Sequence, residues 1–275
     1  MNESPGADRT YLDSGYLLSQ LEHHYGPRVH LLSDPFLLST LARLCAESTT
    51  QPAINELITT IYSSMLSIVV NEEFPRHVAA VRTRMAQAHP AEGVFEGQVI
   101  NPETPVVSVN LARAGTLPSH ICYSALNYLM EPRQVRQDHI SIARTTDAQE
   151  QVTGSLVSGH KIGGPVDGAI VLFPDPMGAT GATICEAVDL FKQKGQALKY
   201  VALHCIVTPE YLRTLRDRHP DVIVYAVRLD RGLSPKGVLE ATPGAFWDRE
   251  KGLNQKQYIV PGGGGFGEIM NNAYA

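Results

Sequence analysis

From about residue 104 onward, short apolar runs alternate with stretches of helical periodicity, and this alternation constrains the fold more than any other property of the chain. Residues 106–109, 140–143, 168–173, 200–207 and 222–227 read as buried strands. Between them a helix is predicted around Pro118 to Met130 and another from Thr183 to Lys194, ending at Gly195. A third starts at Thr208-Pro209-Glu210. Strand, helix and strand at this spacing demand a parallel sheet with both faces covered, because a parallel crossover needs a connection of that length. The expected class is therefore α/β, a parallel sheet of about five strands flanked by helices.

The first hundred residues read as mainly helical. After an extended segment at 29–32, Ser33-Asp34-Pro35 places a capping side chain before a proline whose missing N–H costs nothing at the first helical position. Pro52 opens a second helix, in which Ile54, Leu57, Ile58, Ile61, Met65, Leu66 and Ile68 recur at intervals of three and four. A third helix is expected over 76–87. Two long segments read as mobile lids or arms: 144–164, rich in Thr, Gln, Ser and Gly, and 234–257, which holds the only tryptophan, Trp247. The chain thus divides into an extension (1–28), a helical part (29–103), a sheet core (104–233) and an arm (234–275).

Composition excludes several classes. Lys plus Arg is 23 against 28 Asp plus Glu, a net charge of −5 without long runs of either sign, which argues against a nucleic-acid stripe. No stretch reaches the roughly twenty consecutive apolar residues of a membrane span, and Met1 to Asp8 lacks the pattern of a signal peptide. Cys45, Cys122, Cys185 and Cys205 are widely spaced in apolar settings, as expected of buried thiols in a reducing cytoplasm. His23, His24 and His30 lack the spacing of a metal site. His120 reads as a helix histidine near a turn, and Glu72 and Glu73 as a solvated helix end. One anomaly remains: Gly262, Gly263, Gly264, Gly265 and Gly267 crowd six positions near the C-terminus.

The chemistry concentrates at Val171 to Thr183. An apolar strand runs into Asp175, then into a small-residue turn, Pro176-Met177-Gly178-Ala179-Thr180-Gly181, and then into a helix beginning Ala182-Thr183. Glycines allow close approach, backbone N–H groups converge, and the helix N-terminus adds its positive end, so the segment can cradle a phosphate. An ordinary turn that needs Gly181 for its backbone angle is the competing reading. It is not a Walker loop, since no Lys follows the second glycine. A carboxylate just before the cradle suits a phosphorylated sugar.

Residues 173–181, Phe-Pro-Asp-Pro-Met-Gly-Ala-Thr-Gly, resemble the Asp-Pro-Met-x-Ala-Thr-Gly loop with which uracil phosphoribosyltransferases bind phosphoribosyl diphosphate (PRPP). Residues 107–115, ending Arg113-Ala114-Gly115, resemble the family's strand and Arg-Ala-Gly turn. Residues 258–264, Tyr-Ile-Val-Pro-Gly-Gly-Gly, resemble its C-terminal Tyr-Ile-x-Pro-Gly-x-Gly. The similarity runs in order from about residue 30 to 270 and implies a type I phosphoribosyltransferase fold with a C-terminal hood. It also implies transfer of the phosphoribosyl group to uracil, giving UMP and pyrophosphate in pyrimidine salvage.

By that resemblance Asp175 holds the ribose hydroxyls and Ala179, Thr180, Gly181 and Thr183 bind the 5′-phosphate, with Pro176, Met177, Gly178 and Ala182 completing the PRPP loop. Arg113, with Ala114 and Gly115, lies along the pyrophosphate, where a fixed guanidinium stabilises leaving-group charge. Arg113 and Asp175 are the catalytic candidates. Tyr258, Ile259, Gly264, Gly265 and Phe266 are the candidates for contact with uracil. Lys161 either reaches the pyrophosphate or is simply solvated. Magnesium is expected through PRPP and water, with no direct protein ligand, and a homodimer or higher oligomer is implied.

Three departures stand out. The family's acid after the glycines is Gly265 here and its terminal arginine is Ile269. Its pyrophosphate-contacting arginine in the first helix falls at Cys45, and the segment before Tyr258 is long. Each lost charge in a preorganised site costs about 3 to 4 kcal/mol. The alternatives are therefore a weakened paralogue that binds PRPP or a nucleotide as a sensor or accessory protein, or a transferase for another base.

Overall fold

The computed structural model describes residues 9–146 and 152–274; the N-terminal residues 1–8 and the tip of the 144–164 segment lie outside them. The strands are β1 (Val29–Leu31), β2 (Arg76–Arg82), β3 (Val94–Ile100), β4 (Val106–Ala112), β5 (Val135–Thr146), β6 (Val152–Lys161), β7 (Ile170–Pro174), β8 (Met177–Gly178), β9 (Lys199–Val207) and β10 (Ile223–Leu229). The helices are α1 (Pro35–Leu44), α2 (Ala53–Glu73), α3 (Thr116–Leu129), α4 (Ala182–Lys192), α5 (Pro209–Arg218), α6 (Lys236–Leu239) and α7 (Phe266–Ile269).

The main sheet has the order β1-β10-β9-β7-β4-β5-β6, with β8 added to β9. All its pairs are parallel except β5 with β6 at the edge. Side chains alternate across it: Ile170 and Leu172 of β7 enter one core with α1, α2 and α3, whereas Val171 and Phe173 enter a second core with α4 and α5. Cys122 and Cys205 lie in the first core and Cys185 in the second; all four cysteines are free.

Local signals act as expected at several ends. Asp34 accepts from the N–H of Leu37 at 3.0 Å to start α1, and Thr208 caps α5 through Tyr211 N at the same distance. By length and composition α2 is apolar enough to cross a membrane, but Ile58, Ile61, Tyr62, Met65 and Val69 on it are completely buried in the first core.

Four expectations are corrected. Residues 76–87 are not a helix: β2 pairs antiparallel with β3, Val78 opposite Gln98 and Val81 opposite Phe95, before a short 3-10 turn. Backbone pairing with the next strand overrides the local helical pattern. Residues 144–146 and 152–161 are not a free loop but paired strands of a ribbon. Glu73 is buried, because Lys199 Nζ (2.7 Å) and the Tyr225 hydroxyl (2.6 Å) both reach its carboxylate.

The segment 234–257 is fastened rather than mobile. Glu250 is buried against Arg231 Nη1 at 2.9 Å, the N–H of Gly244 at 2.8 Å and the hydroxyl of Tyr25. Arg231 also donates to the carbonyls of Val238, Leu239 and Ala241. Trp247 donates to Pro209 O, meets Tyr25 edge-on and carries the Arg216 guanidinium on its ring. Tyr25 thus joins the N-terminal extension to the arm.

Candidate active site

The functional candidates gather where β4, β7, β9 and β10 end, the edge at which open parallel sheets place ligands. β7 delivers Asp175, which is buried and whose N–H donates to Leu203 O at 3.0 Å. Beyond it, β8 extends the chain along β9, setting Met177 opposite Ile206 and Gly178 opposite Val207. The Thr208 hydroxyl donates to Ala179 O at 2.6 Å and the Thr208 N–H to Gly178 O at 3.1 Å.

Gly181, at φ +87°, turns the chain into α4 in a conformation that L side chains rarely adopt. A Cβ there would also come within 3.0 Å of Thr214 Cβ. The Thr180 hydroxyl accepts from Ala182 N at 3.4 Å, and Ala182 and Thr183 form the first turn of α4. The result is a small-residue cradle at the N-terminus of an eleven-residue helix, suited to an anion.

The second loop begins at the cis peptide between Ala112 and Arg113. Gly115 N donates to Leu111 O at 2.9 Å. A Cβ on Gly115 would stand 2.8 Å from that oxygen and 3.1 Å from Pro174 O, so glycine lets this turn lie against the loop after β7. Arg113 is exposed and reaches toward the C-terminus. Its Nη1 donates to Ala273 O at 3.0 Å and its Nη2 lies 3.5 Å from Glu268 Oε1.

The glycine-rich arm is the third loop. Asp230, buried at the end of β10, receives Arg228 Nε (2.6 Å) and Nη2 (2.8 Å) and the N–H of Gly262 (2.7 Å). Arg228 Nη2 also donates to Gly262 O at 2.9 Å. The arm is thereby pinned to the sheet around the cis Val260–Pro261 bond. Gly263 passes so close to α1 that a Cβ would meet Cys45 Sγ at 2.7 Å. Burial raises the Cys45 thiol pKa, with nearby Arg228 acting in the opposite sense.

The candidates for base contact are not placed alike. Tyr258 and Gly264 are exposed, Ile259 and Gly265 partly so, and Gly264 has φ +89°. Phe266 is 2% exposed and packs into the first core, close beneath Gly263, so its ring is a support for the arm and not part of its open surface. Its apolar ring gains more from burial against α1 and α2 than from standing in a polar loop. Lys161 is exposed at the end of edge strand β6, opposite His139, which is itself in register with Asn110 of β4.

Arg228, Asp230 and Glu268 act in these loops although sequence patterns did not assign them a role, and Thr208, read as a helix start, also holds the cradle. Asp230 carries the clearest signal, an acid directly after an apolar strand, like Asp175. The relation of Glu268 to Arg113 exists only once the C-terminus has folded back.

An anion cradle with an acid beside it and an exposed guanidinium on the neighbouring turn, all at one edge of a parallel sheet, is the arrangement of a protein that binds phosphorylated sugars or nucleotides. The chain belongs to the uracil phosphoribosyltransferase family, whose model matches residues 31–250. It is 27% identical over 222 residues to the uracil phosphoribosyltransferase of Dictyoglomus turgidum, covering 80% of this chain and 97% of that one. Against the Streptococcus salivarius enzyme of the same name it is 25% identical over 223 residues, or 81% and 97% of the two chains. Among solved structures, the AQ2163 protein from Aquifex aeolicus superposes with a TM-score of 0.66 at 20% identity, over 90% of this chain and 99% of that one. The fold is the type I phosphoribosyltransferase fold.

Proposed function

We propose that this phosphoribosyltransferase joins uracil to the anomeric carbon of PRPP, releasing pyrophosphate and forming UMP. The observation that carries the reading is the meeting of three loops at one sheet edge: the Arg113 turn packed on the loop of Asp175, with the glycine arm pinned beside them by Asp230. Asp175 accepts from the ribose hydroxyls, the 179–183 turn takes the 5′-phosphate, and Arg113 neutralises the departing pyrophosphate. Exposed backbone around Gly264 offers donors and acceptors to the edge of a planar base without side chains in the way.

Among the described residues there is no group of three His, Cys, Asp or Glu side chains able to hold a metal on their own. Magnesium would arrive with the diphosphate, where it would offset phosphate charge, and Asp175 is the acid of the cradle that could face it. The reading includes a homo-oligomer, supported by Val78, Val81 and Phe95, which the β2–β3 hairpin leaves exposed. It also includes a cytoplasmic setting, which four free cysteines suit.

The test is incubation with PRPP, magnesium and a panel of bases, following nucleotide and pyrophosphate. UMP formation, abolished by Asp175→Asn, supports the reading. A second reading, a binding protein with little turnover, is favoured by Cys45 and Gly265 and by the contact of Arg113 with the chain's own C-terminus. Saturable UMP or PRPP binding without product from any base would select it. Product with another base alone would reassign the substrate.

A further inference from the structure

His204 lies in β9 directly beneath the loop after β7 and has no exposed surface. Its Nδ1 is 2.5 Å from the carbonyl oxygen of Asp175 and its Nε2 is 2.6 Å from the hydroxyl of Tyr211. A carbonyl can only accept, so Nδ1 is assigned the proton and Nε2 accepts from the phenol O–H. Burial lowers the imidazole pKa to about 4 and raises that of the Tyr211 phenol well above its usual value. Both groups therefore stay neutral across the working range, and the direction of the chain from Tyr211 through His204 to Asp175 is fixed.

The consequence is local and geometric. The N–H of Asp175 is tied to Leu203 O and its C=O to the side chain of His204, so both peptide groups flanking its Cα are anchored to β9. At the far end of the same loop, Ala179 O is held by the Thr208 hydroxyl, which in turn accepts from the N–H of Tyr211. One turn of α5 therefore fastens both ends of residues 175–179. The Tyr211 ring sits edge-on to the imidazole at 4.7 Å between centroids, which fixes the pair against rotation.

We propose that His204 and Tyr211 are positioning residues, which orient the Asp175 carboxylate toward the ribose hydroxyls by holding its backbone carbonyl. The proposal rests on the assignment of Asp175 to the ribose. Displacement of a reacting or orienting group by about 1 Å can cost about a hundredfold in rate, so such an anchor acts on catalysis without touching substrate.

The test compares UMP and pyrophosphate binding by calorimetry, and PRPP kinetics, in His204→Leu, His204→Asn, Tyr211→Phe, Asp175→Asn and the double variant His204→Leu/Asp175→Asn. His204→Leu is expected to weaken UMP about ten- to a hundredfold while pyrophosphate alone binds within about twofold of the unaltered protein. His204→Asn, whose amide can present an N–H near the Nδ1 position, is expected to recover part of the loss, and Tyr211→Phe to show a smaller one. In the Asp175→Asn background the leucine substitution is expected to add nothing.

Additive losses in the double variant, or equal losses for UMP and pyrophosphate, would show general loosening and overturn the proposal. Should His204→Leu fail to fold, Tyr211→Phe, which removes one oxygen atom, carries the same comparison. Unaltered protein that binds no UMP would overturn the functional assignment and this proposal with it. UMP binding with additive losses would overturn this proposal alone.

Discussion

Gly265→Ala probes how Arg113 is held before substrate arrives. Gly265 has φ −83° and ψ 94°, open to any L residue, so the substitution carries no backbone penalty. Its new Cβ, however, would land on Glu268 Oε2 and lie 3.0 Å from Glu268 Cδ. The carboxylate ends a flexible side chain and can swing away, breaking the 3.5 Å contact with Arg113. Both side chains are over a third exposed or close to it, at 46% and 34%, so the pair contributes about 0.2–1 kcal/mol after screening. A ligand that takes over Arg113 must give up that contact. Release should therefore tighten pyrophosphate binding by at most about fivefold.

Calorimetric titration of pyrophosphate reads this directly, and Glu268→Gln should give the same gain without any new Cβ. Added salt should shrink the gain, since the contact is exposed. Weaker binding in both variants would refute the reasoning and make Glu268 part of the anion site itself. Gly265→Asp, compared with Gly265→Ala, then isolates the contribution of a carboxylate at that position to turnover.

Three further outcomes are expected. Gly263→Ala drives a Cβ to 2.7 Å from Cys45 Sγ and 2.8 Å from Phe266 Cε2; this strain of about 1–3 kcal/mol should lower the calorimetric Tm by several degrees, and an unchanged Tm would mean that the arm is not held against α1. Glu250→Leu strips Arg231 of its buried partner and leaves the Tyr25 hydroxyl and Gly244 N–H unmatched, costing about 3–5 kcal/mol in denaturant unfolding; a loss under about 1 kcal/mol would show that 234–257 is held otherwise. His204 is depressed from 6.5 to about 4 in the folded state, so the unfolded chain binds the extra proton as pH falls through 6.5, and stability drops by about 3 kcal/mol between about pH 7 and pH 4. Denaturation midpoints of His204→Asn should fall less steeply over that interval, and parallel curves would refute the assignment.

What could be read along the chain was whatever depends on near neighbours. The strand-to-helix alternation, the Asp34-Pro35 and Thr208-Pro209 starts, and the Asp175 to Thr183 cradle are encoded within a dozen residues each, and all take the expected form. The errors arise where a partner outside the segment decides. Over 76–87 the side chains fit a helix as well as a strand, and pairing with β3, across the turn at 83–93, decides between them. Residues 234–257 look like a loose insertion because Arg231, Glu250 and Tyr25 carry no local pattern until the fold brings them together.

The same distinction divides the site. The cradle after β7 is a turn whose shape follows from glycine positions and a helix end, and that shape was legible in the sequence. The side that the proposal gives to the base and pyrophosphate depends on a C-terminal segment returning across the sheet. There Arg228 and Asp230 clamp Gly262, Phe266 turns into the core, and Glu268 meets Arg113. Gly265 read alone is a missing acid; in the fold, the Glu268 carboxylate lies where a side chain at 265 would begin. Charge near this edge is therefore rearranged as well as lost. A substitution at 265 must be interpreted by what it does to Glu268 and Arg113, not only by the group it introduces.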